Sequence, residues 1–453
     1  MKSKRVLTWA AVVLLAVLST LPAADPAAAQ NRPGSSQGKP EFVADELLVA
    51  FKAGTPADRR AAAHSQAGGQ VVRQIRSLGV DVVKVQGPAE RRLQAYQNHP
   101  LVEVAELNGI AYAEAWPTDG SPNDTEFENR EAQRRQWALH NVDPYGGKID
   151  ADIDAPEAWR TTTGASTTVA IIDTGVSDHA DLPAFKSPGA PDPDRVDYAA
   201  DGQNDAFDAH GHGTHVAGTV AARTNNGVGV AGVCPDCKII SARVCGPDGS
   251  CNYDWIVSGV LWAVGCEDRA ADPPTDFGVC REGTQRAKVL NISLGGTYSS
   301  TVLQRAIKRA WERGAVIACA AGNNNNSIAF YPAAYSECIA VAATDNRDQK
   351  ASFSNFGGWV DVAAPGVSIL STVRAGGYEA WSGTSMASPH VAGLAGLLWA
   401  KPASKPDEPP PTQQSVRNAI ESSVVKLSGN ARNLGKGRIS ACRALQRTDC
   451  GSI

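Results

Sequence analysis

The sequence predicts an α/β protein with a doubly wound, mostly parallel sheet, preceded by a small ferredoxin-like α+β module. Between residues 169 and 343, short apolar segments alternate with stretches whose apolar residues recur at helical spacing. This pattern favours a parallel sheet covered by helices. Between residues 47 and 107, the predicted order is strand, helix, strand, strand, helix, strand, which is the ferredoxin-like order. We therefore expect two structural units, the smaller one first.

Residues 1–29 have the composition of a secretory signal peptide. A basic start at residues 2–5 precedes an apolar run from Trp9 to Leu21, and Ala27 to Ala29 form a small-residue cleavage site. The apolar run is shorter than the roughly 20 residues that a membrane span needs, and no later segment is long enough either. We expect the mature chain to be secreted, extracellular and free of the membrane.

Each predicted element rests on a local apolar pattern. In the small module, after a polar linker at residues 30–40, we predict strands at 47–51, 71–75, 80–85 and 102–107, and helices at 56–66 and 88–98. In the large unit we predict strands at 169–172, 239–244, 289–293, 315–320 and 339–343, and helices at 256–264, 302–310, 385–400 and 416–424. Functional sites in such sheets lie at the carboxyl ends of the strands, where Asp173 stands.

The composition excludes one class of function and favours one structural feature. The chain has 453 residues and a net charge of −4, which gives no reason to expect nucleic-acid binding. It has ten cysteines, none of them before Cys234. An even number of cysteines in an exported protein favours disulfides, with buried free thiols as the alternative.

Ser385 lies where an apolar, alanine- and glycine-rich helix is predicted to begin. A hydroxyl in the first helical turn lies in the positive field of the helix N-terminus, which favours negative charge developing on it. Gly383 lets another backbone come close. Most serines that open a helix are N-caps, so the assignment of Ser385 as a nucleophile depends on its partners.

Two upstream blocks supply those partners. Asp173 ends a short apolar strand, and His212 lies in a glycine-rich entry into a helix. A serine becomes nucleophilic when an imidazole takes its proton and a carboxylate fixes the imidazole tautomer. The alternatives are that Asp173 is a turn residue and that His210, His212 and His215 form a metal cluster. No acidic or cysteine ligand pattern accompanies these histidines, so we favour the catalytic interpretation.

The three blocks resemble the signatures of the subtilisin-like serine proteases, and of the thermitase branch in particular. They are Asp-Thr-Gly at 173–175, His-Gly-Thr-His-Val-Ala-Gly at 212–218 and Gly-Thr-Ser-Met-Ala-Ser-Pro-His at 383–390. Their order, Asp, His, Ser, is the order in subtilisin. The resemblance extends over roughly residues 121–447.

The resemblance implies a serine endopeptidase with a defined role for each catalytic residue. Ser385 attacks the peptide carbonyl, His212 acts as general base and then as general acid, and Asp173 orients His212. His215 and His390 are expected to be structural, because the family's catalytic histidine directly precedes Gly-Thr-His. A protein with this fold and no activity is the alternative from another class, and the presence of every catalytic group argues against it.

The same resemblance assigns roles in oxyanion stabilisation and in substrate binding to further residues. Asn323, after Ala-Ala-Gly, matches the family's oxyanion residue, with a generic asparagine loop as the alternative. Ser293, Leu294 and Gly295 match the segment that pairs with an extended substrate backbone. Phe330 falls near the floor of the first specificity pocket, or in the core. We expect protein or peptide substrates, broad specificity and an apolar preference, with a narrow processing protease as the alternative.

The resemblance also implies synthesis as a pre-pro-enzyme. Residues 30–118 match a propeptide that acts as a folding chaperone and tethered inhibitor, and residues 119–453 match the peptidase domain. The tail at 111–116 is expected to lie in the active-site cleft until self-cleavage between Tyr112 and Arg135. A binding domain that stays attached is the alternative. We expect the mature protease to be a monomer.

Structural calcium is implied as well, and no organic cofactor. Asp124, Asp181 and Asn226 match side-chain ligands of the thermitase branch, and oxygen ligands in a multidentate loop suit calcium. The loop before Asp181 looks one residue shorter than in the family. Backbone carbonyls would complete the set, at Arg223, Val228 and Val230. The acidic run at residues 201–208 is either a second calcium site or, as we favour, a solvated loop.

The cysteines depart from the thermitase pattern, and their connectivity stays open at this level. Two pairs bracket short stretches of chain, a third brackets the insertion at 267–279, and a fourth lies in Cys-Pro-Asp-Cys, which is a local bridge or, less favoured, a redox motif. The remaining two cysteines would join neighbouring strands. The favoured pairs are Cys245 and Cys251, Cys442 and Cys450, Cys266 and Cys280, Cys234 and Cys237, and Cys319 and Cys338.

Overall fold

The computed structural model describes residues 42–75, 80–109, 124–128, 136–142, 147–183, 185, 194–199, 206–266, 280, 285–431 and 433–450. They belong to two compact units, one within Met1–Glu114 and one within Ala115–Ile453. The predicted signal peptide, the linker, the insertion at 267–279 and most of the predicted self-cleavage range lie outside the described residues. The predicted domain boundary after residue 118 therefore stays a prediction.

The first unit has the predicted ferredoxin-like order of elements. Its strands are β1 (Phe42–Phe51), β2 (Gly69–Ile75), β3 (Val80–Val85) and β4 (Val102–Gly109), and its helices are α1 (Ala57–Ala67) and α2 (Ala89–Gln97). The sheet order is β2-β3-β1-β4, and every pair is antiparallel. The core is apolar except for one polar cluster, in which His64 lies 3.0 Å from both the Tyr96 hydroxyl and the Asp81 carboxylate. Burial and the charge of Asp81 raise the pKa of Tyr96 to about 12.

The second unit is built around a seven-stranded parallel sheet in the order β11-β10-β9-β8-β5-β7-β6. Its strands are β5 (Thr168–Asp173), β6 (Arg195–Asp197), β7 (Lys238–Arg243), β8 (Val289–Ile292), β9 (Val316–Ala320), β10 (Cys338–Thr344) and β11 (Val362–Pro365). An antiparallel hairpin follows, formed by β12 (Ile369–Val373) and β13 (Gly377–Trp381). The described helices of this unit are α3 (Thr125–Glu128), α4 (Ala155–Trp159), α5 (His212–Ala221), α6 (Tyr253–Ala263), α7 (Thr301–Glu312), α8 (Thr384–Trp399), α9 (Gln413–Ser422) and α10 (Ala441–Ala444).

Helices cover both faces of this sheet, which confirms the predicted doubly wound architecture. Val169 and Ile171 of β5 face a core shared with α5 and α8, whereas Ala170 and Ile172 face a core shared with α6 and α7. The central strands are buried on both sides, as expected of a parallel sheet between two helical layers. The strand order reverses at β5, and such a reversal places a crevice at the carboxyl ends of the strands.

Five disulfides join all ten cysteines in the pairs that the sequence favours. They are Cys234–Cys237, Cys245–Cys251, Cys266–Cys280, Cys319–Cys338 and Cys442–Cys450. Among the described helices, none combines the length and the apolar composition that a membrane crossing requires.

Candidate active site

Asp173 and His212 form a close pair at the carboxyl end of β5. Asp173 is the last residue of β5, and His212 is the first residue of α5, which begins after Gly211. His212 Nδ1 lies 2.7 Å from Asp173 Oδ1, and the N–H of Thr174 donates to the same oxygen at 2.8 Å. Asp173 is 1% exposed. The carboxylate is therefore fixed in position and faces the imidazole.

The environment of His212 raises the pKa of its imidazole. Burial lowers this pKa, because desolvation disfavours the charged ring. The charge and the hydrogen bond of Asp173, with the charge of Asp208, outweigh the effect of burial. Because Nδ1 faces the carboxylate, Nε2 is the nitrogen that remains to accept a proton. The pair thus has the arrangement of a general base and the carboxylate that orients it.

Asp208 fixes the start of α5 and was missed by the sequence analysis. It is fully buried, so the predicted solvated loop is wrong at this position; Asp201 and Asp205 lie outside the described residues. Its carboxylate accepts hydrogen bonds from the Thr174 hydroxyl at 2.8 Å, the Gly211 N–H at 2.7 Å and the Thr214 N–H at 2.9 Å. Asp208 therefore ties the residue after Asp173 to the turn that carries His212.

Ser385 is the second residue of α8. Its hydroxyl donates to the backbone carbonyl of Ser293 at 3.0 Å. The N–H of Ser385 belongs to the first helical turn, where backbone donors have no intrahelical acceptor. Both the hydroxyl and this N–H therefore lie at the positive end of the helix dipole.

A chain of buried side chains fixes the first turn of α8 against β8. The Ser293 hydroxyl donates to the carbonyl of Ser385, the Asn291 amide donates to the Ser293 hydroxyl, and the Ser388 hydroxyl donates to the Asn291 amide oxygen, each at 2.9 Å. Asn291 and Ser388 are fully buried, so a glycan at the Asn-Ile-Ser sequon starting at Asn291 has no room. Ser293 was expected in the substrate segment and Ser388 lies in the third signature block, but no sequence pattern indicated that Asn291 links them by hydrogen bonds.

The side chain of Asn323 has one orientation imposed by its neighbour. Its amide oxygen accepts hydrogen bonds from both the N–H and the hydroxyl of Thr384, each at 2.9 Å. The amide nitrogen is left as a donor, on the side of Gly383. A donor beside the nucleophile is what an oxyanion needs.

One cleft of about 500 Å³ brings the predicted site residues together. Its lining includes Asp173, His212, Ser385 and Asn323, and also Ser293, Leu294, Gly295 and Phe330. A further wall comes from residues 245–256, which the sequence analysis did not place at the site. The pair Cys245 and Cys251 marked this segment as a stapled loop, but its position depends on tertiary structure.

Comparison with known proteins decides the family. The subtilase family model matches residues 164–437, which contain all three signature blocks. The chain belongs to the subtilase family. A second model, the fervidolysin N-terminal prodomain, matches residues 28–108, so this subtilase is a serine protease with an N-terminal prodomain.

Individual relatives agree with this assignment. A thermophilic serine proteinase from Bacillus sp. strain AK1 is 37% identical over 415 residues, which cover 90% of this chain and 89% of the relative. Thermitase from Thermoactinomyces vulgaris is 41% identical over 327 residues, which cover 72% of this chain and 99% of thermitase. A solved protease structure from Pseudoalteromonas arctica PAMC 21717 has a TM-score of 0.59 and 32% identity, covering 72% of this chain and 99% of that chain. The relatives place this subtilase close to the thermitase branch.

The other histidines near this site have structural surroundings. His390 is buried and bonds to the Met386 carbonyl at 2.8 Å, while His215 is buried, bonds to the Glu379 carbonyl at 3.0 Å and stacks on Trp381. Burial lowers the pKa of each imidazole to about 4. Within the described residues, no cluster of three or more histidine, cysteine or acidic side chains is arranged to hold a metal ion. In place of a shared metal ion, the described structure shows His212 on the Asp173 carboxylate and His215 on the Glu379 carbonyl, so it gives the metal interpretation no support.

Phe330 packs between the two backbone segments that border the cleft. A Cβ on Gly295 would lie 2.6 Å from the Phe330 ring, and a Cβ on Gly322 would lie 3.0 Å from it. Antiparallel hydrogen bonds between Gly296 and Tyr331 hold this arrangement, at 2.9 and 2.7 Å. The Phe330 ring therefore occupies space that is available only because residues 295 and 322 are glycines without a Cβ.

The predicted calcium ligands lie together around the loop at residues 223–230. Asp124 and Asp181 are fully buried, and neither forms an ion pair with a basic side chain in the described part of the chain. Asp181 accepts hydrogen bonds from the Asn226 amide at 2.8 Å and the Val230 N–H at 2.9 Å, and Asp124 accepts one from the Asn225 N–H at 2.9 Å. Burial raises the pKa of Asp124 to about 7 and also raises that of Asp181. Two buried carboxylates beside one loop, without a basic partner in the described residues, are oxygen ligands of the kind that a hard divalent cation prefers.

Proposed function

We propose that this subtilase is a secreted endopeptidase that hydrolyses proteins through Asp173, His212 and Ser385. The observation that carries the proposal is the 2.7 Å contact between His212 and Asp173 in a cleft that Ser385 and Asn323 also line. Nucleophile, base, orienting carboxylate and oxyanion donor are the groups that acyl transfer requires.

In the proposed reaction, Ser385 Oγ attacks the peptide carbonyl while His212 Nε2 takes its proton. Collapse of the tetrahedral intermediate breaks the C–N bond, and the departing amine receives that proton from His212. A water molecule then gives its proton to His212 and attacks the acyl-enzyme, which releases the acid and restores the Ser385 hydroxyl. Asp173 stabilises the imidazolium at each stage without becoming protonated.

The developing oxyanion is assigned to two donors, the Asn323 amide and the N–H of Ser385. Thr384 supports this role, because it holds the Asn323 oxygen and leaves the amide N–H groups to donate. Loss of such a side-chain donor costs about 10² to 10³ in kcat, a magnitude taken from subtilisin, which belongs to the same family.

The proposed substrates bind as extended strands along Ser293, Leu294 and Gly295. Backbone hydrogen bonds would supply affinity, and side-chain pockets would supply choice. The ring of Phe330 at the cleft is apolar, and this favours apolar substrate side chains with otherwise broad specificity. Residues 30–118 act as propeptide, chaperone and tethered inhibitor in this proposal, and self-cleavage falls between Tyr112 and Arg135.

Active-site labelling of the secreted protein with a fluorophosphonate, beside Ser385→Ala, tests the proposal. We expect a labelled, shortened band from the wild type and no labelled band from the variant. A labelled full-length band would overturn the propeptide claim and keep the enzyme. Failure of both proteins to label, when circular dichroism shows both to be folded, would replace the proposal by an inactive subtilase fold.

Calcium is proposed as a structural ion held by Asp124, Asp181 and Asn226. The carbonyls of Arg223, Val228 and Val230 would complete its ligands. When bound, the ion would neutralise two buried carboxylates and hold the loop against residue 124. Because burial raises the pKa of Asp124 to about 7, the uncompensated folded state favours a protonated carboxyl, and its stability falls as the pH rises through 7.

Chelation should therefore accelerate thermal inactivation more at pH 8 than at pH 6. The measurement is the inactivation half-life, at both pH values, of calcium-loaded protein and of protein freed of calcium with EDTA and desalted at pH 8, because EDTA itself binds calcium less tightly at pH 6. Asp124→Asn is the control, and it should lose most of the EDTA effect. Equal half-lives with and without EDTA at pH 8 would contradict the calcium proposal.

A further inference from the structure

One wall of the active-site cleft is a short loop closed by its own disulfide. This loop, residues 245–251, joins β7 to the start of α6, and Cys245 and Cys251 both line the cleft together with Asp248, Gly249 and Ser250. We refer to it as the wall loop. No residue of the wall loop belongs to the three signature blocks.

The wall loop begins beside the catalytic carboxylate. The N–H of Val244 donates to the carbonyl of Asp173 at 2.8 Å, so the residue before Cys245 is anchored to the end of β5. The tip of the loop reaches the imidazole side of the cleft, where a Cβ on Gly249 would lie 3.1 Å from His210 Nε2. Because Gly249 also has a φ of +78°, this close approach requires glycine. The wall loop therefore borders the cleft on the side lined by His210 and His212.

Apart from the disulfide and the burial of Cys245 in the core beside α6, the wall loop is held mainly by hydrogen bonds within the loop itself. Gly246 N–H donates to the Ser250 carbonyl at 2.8 Å, and Ser250 N–H donates to the Asp248 carboxylate at 3.0 Å. Asp248 and Ser250 are exposed, and hydrogen bonds open to water contribute little to local stability. By contrast, the disulfide holds the Cα atoms of Cys245 and Cys251 4.1 Å apart.

We propose that the Cys245–Cys251 disulfide is a substrate-affinity element, which keeps the wall loop in the conformation that receives the side chains of an extended peptide. The proposal rests on the proposed function of the cleft. In the chain-entropy model a short ring stabilises a fold less than a longer ring does, and this ring also fixes one wall of the cleft before a substrate binds. A loop ordered in advance does not have to be ordered by the substrate, which lowers the cost of association.

The test compares two substrates of the mature enzyme, in wild type and in the double variant Cys245→Ser/Cys251→Ser. One substrate is a long peptide that fills the cleft, and the other is a small ester that reaches Ser385 without side chains against the wall. We expect KM for the peptide to rise about tenfold, with kcat for the peptide changed much less. The ratio of kcat/KM for peptide to kcat/KM for ester should fall by a similar factor.

Cys442→Ser/Cys450→Ser is the matched control, because this disulfide also closes a short segment and its cysteines do not line the cleft. The control should keep the wild-type ratio between the two substrates. An equal fall of the ratio in both double variants would overturn the proposal. An unchanged peptide KM in a folded Cys245→Ser/Cys251→Ser protein would also overturn it.

A second variant keeps the test decisive if the double variant does not fold. Gly249→Ala retains both cysteines and pushes the tip of the wall loop away from His210, so it should raise the peptide KM by itself; an unchanged KM contradicts the proposal. Slower fluorophosphonate labelling in step with slower peptide cleavage would mean that the loop acts through the triad, and would also overturn it. Failure of the proposed function is distinguishable, because the wild type would then neither label nor cleave the ester.

Discussion

Two histidines one helical turn apart in α5, His212 and His215, have opposite environments. His212, at the edge of the cleft, faces the Asp173 carboxylate, and its pKa is raised despite burial. His215, on the interior side, bonds to a backbone carbonyl and stacks on Trp381 with ring centroids 4.5 Å apart. Burial there lowers the pKa of its imidazole to about 4.

This difference shows that the charge of Asp173, and not a hydrogen bond alone, raises the pKa of His212. Both imidazoles have a hydrogen-bond acceptor, but only the acceptor of His212 is a carboxylate that can stabilise the imidazolium. A neutral carbonyl cannot offset the desolvation of a charged ring. His215 is therefore held neutral and serves packing, whereas the raised pKa of His212 favours its protonated form.

Replacing His212 and His215 in separate variants should give the largest difference, and this difference is in kcat. His212→Ala is expected to lower kcat by about 10⁶, the size of effect known for the corresponding change in subtilisin, a member of the same family. His215→Ala should retain most activity per folded molecule, because His215 does not line the cleft. Steady-state kinetics normalised to folded protein measures both, and a loss of 10⁴ or more in His215→Ala would contradict the comparison.

Asp173→Asn should bring the surroundings of His212 closer to those of His215. The amide keeps a hydrogen bond and removes the charge, so kcat should fall by about 10⁴. Since Asp173 raises the pKa of His212, the acid limb of kcat/KM should move to lower pH in the variant. If the acid limb of the variant's remaining kcat/KM profile does not move, a group other than Asp173 raises the pKa of His212.

Local sequence indicated where the candidate residues Asp173, His212 and Ser385 lie in the fold, because each stands at a strand end or a helix start. Asp173 ends an apolar strand, and Ser385 opens a helix, so their local patterns and their motifs agree. Strands between turn-rich segments were found within a few residues of their observed ends, as at β5 (Thr168–Asp173) and β9 (Val316–Ala320).

What the sequence did not predict depends on contacts between distant segments. Asp208 lies in an acidic run that is typical of a solvated loop, but its carboxylate bonds to the start of α5 and also to Thr174, which is 34 residues away in the chain. The β12–β13 hairpin was missed because β13, Gly377–Trp381, is only partly buried and has no apolar alternation. That hairpin supplies both the carbonyl and the indole ring around His215, so the surroundings of His215 could not be predicted either.

His215→Gln is expected to cost stability more than chemistry. Glutamine can keep a hydrogen bond to the Glu379 carbonyl, but it loses the stacked contact with Trp381, at a cost of about 1–2 kcal/mol. The free energy of unfolding should be measured by urea denaturation at pH 8, on enzyme inactivated with a fluorophosphonate so that autolysis does not contribute. A free energy equal to that of the wild type would show that the stacking contributes nothing.

The smallest effect, the pH dependence of stability, has opposite signs for the two kinds of histidine. His215 and His390 have folded pKa values of about 4, below the ordinary 6.5, so their stabilising contribution is present above pH 6.5 and is lost as the pH falls towards 4. The raised pKa of His212 acts the other way: its contribution is present below 6.5 and is lost as the pH rises through the folded value. Buried carboxyls with raised pKa values, such as Asp124 at about 7 and Asp152 at about 8, act in the same sense as His212. The sign of the net change therefore does not identify His215, but wild type should lose more stability, or gain less, than His215→Gln between pH 8 and pH 5. Urea denaturation of the inactivated proteins at pH 8 and pH 5 measures this change, and an equal change in wild type and His215→Gln would exclude His215 as a source.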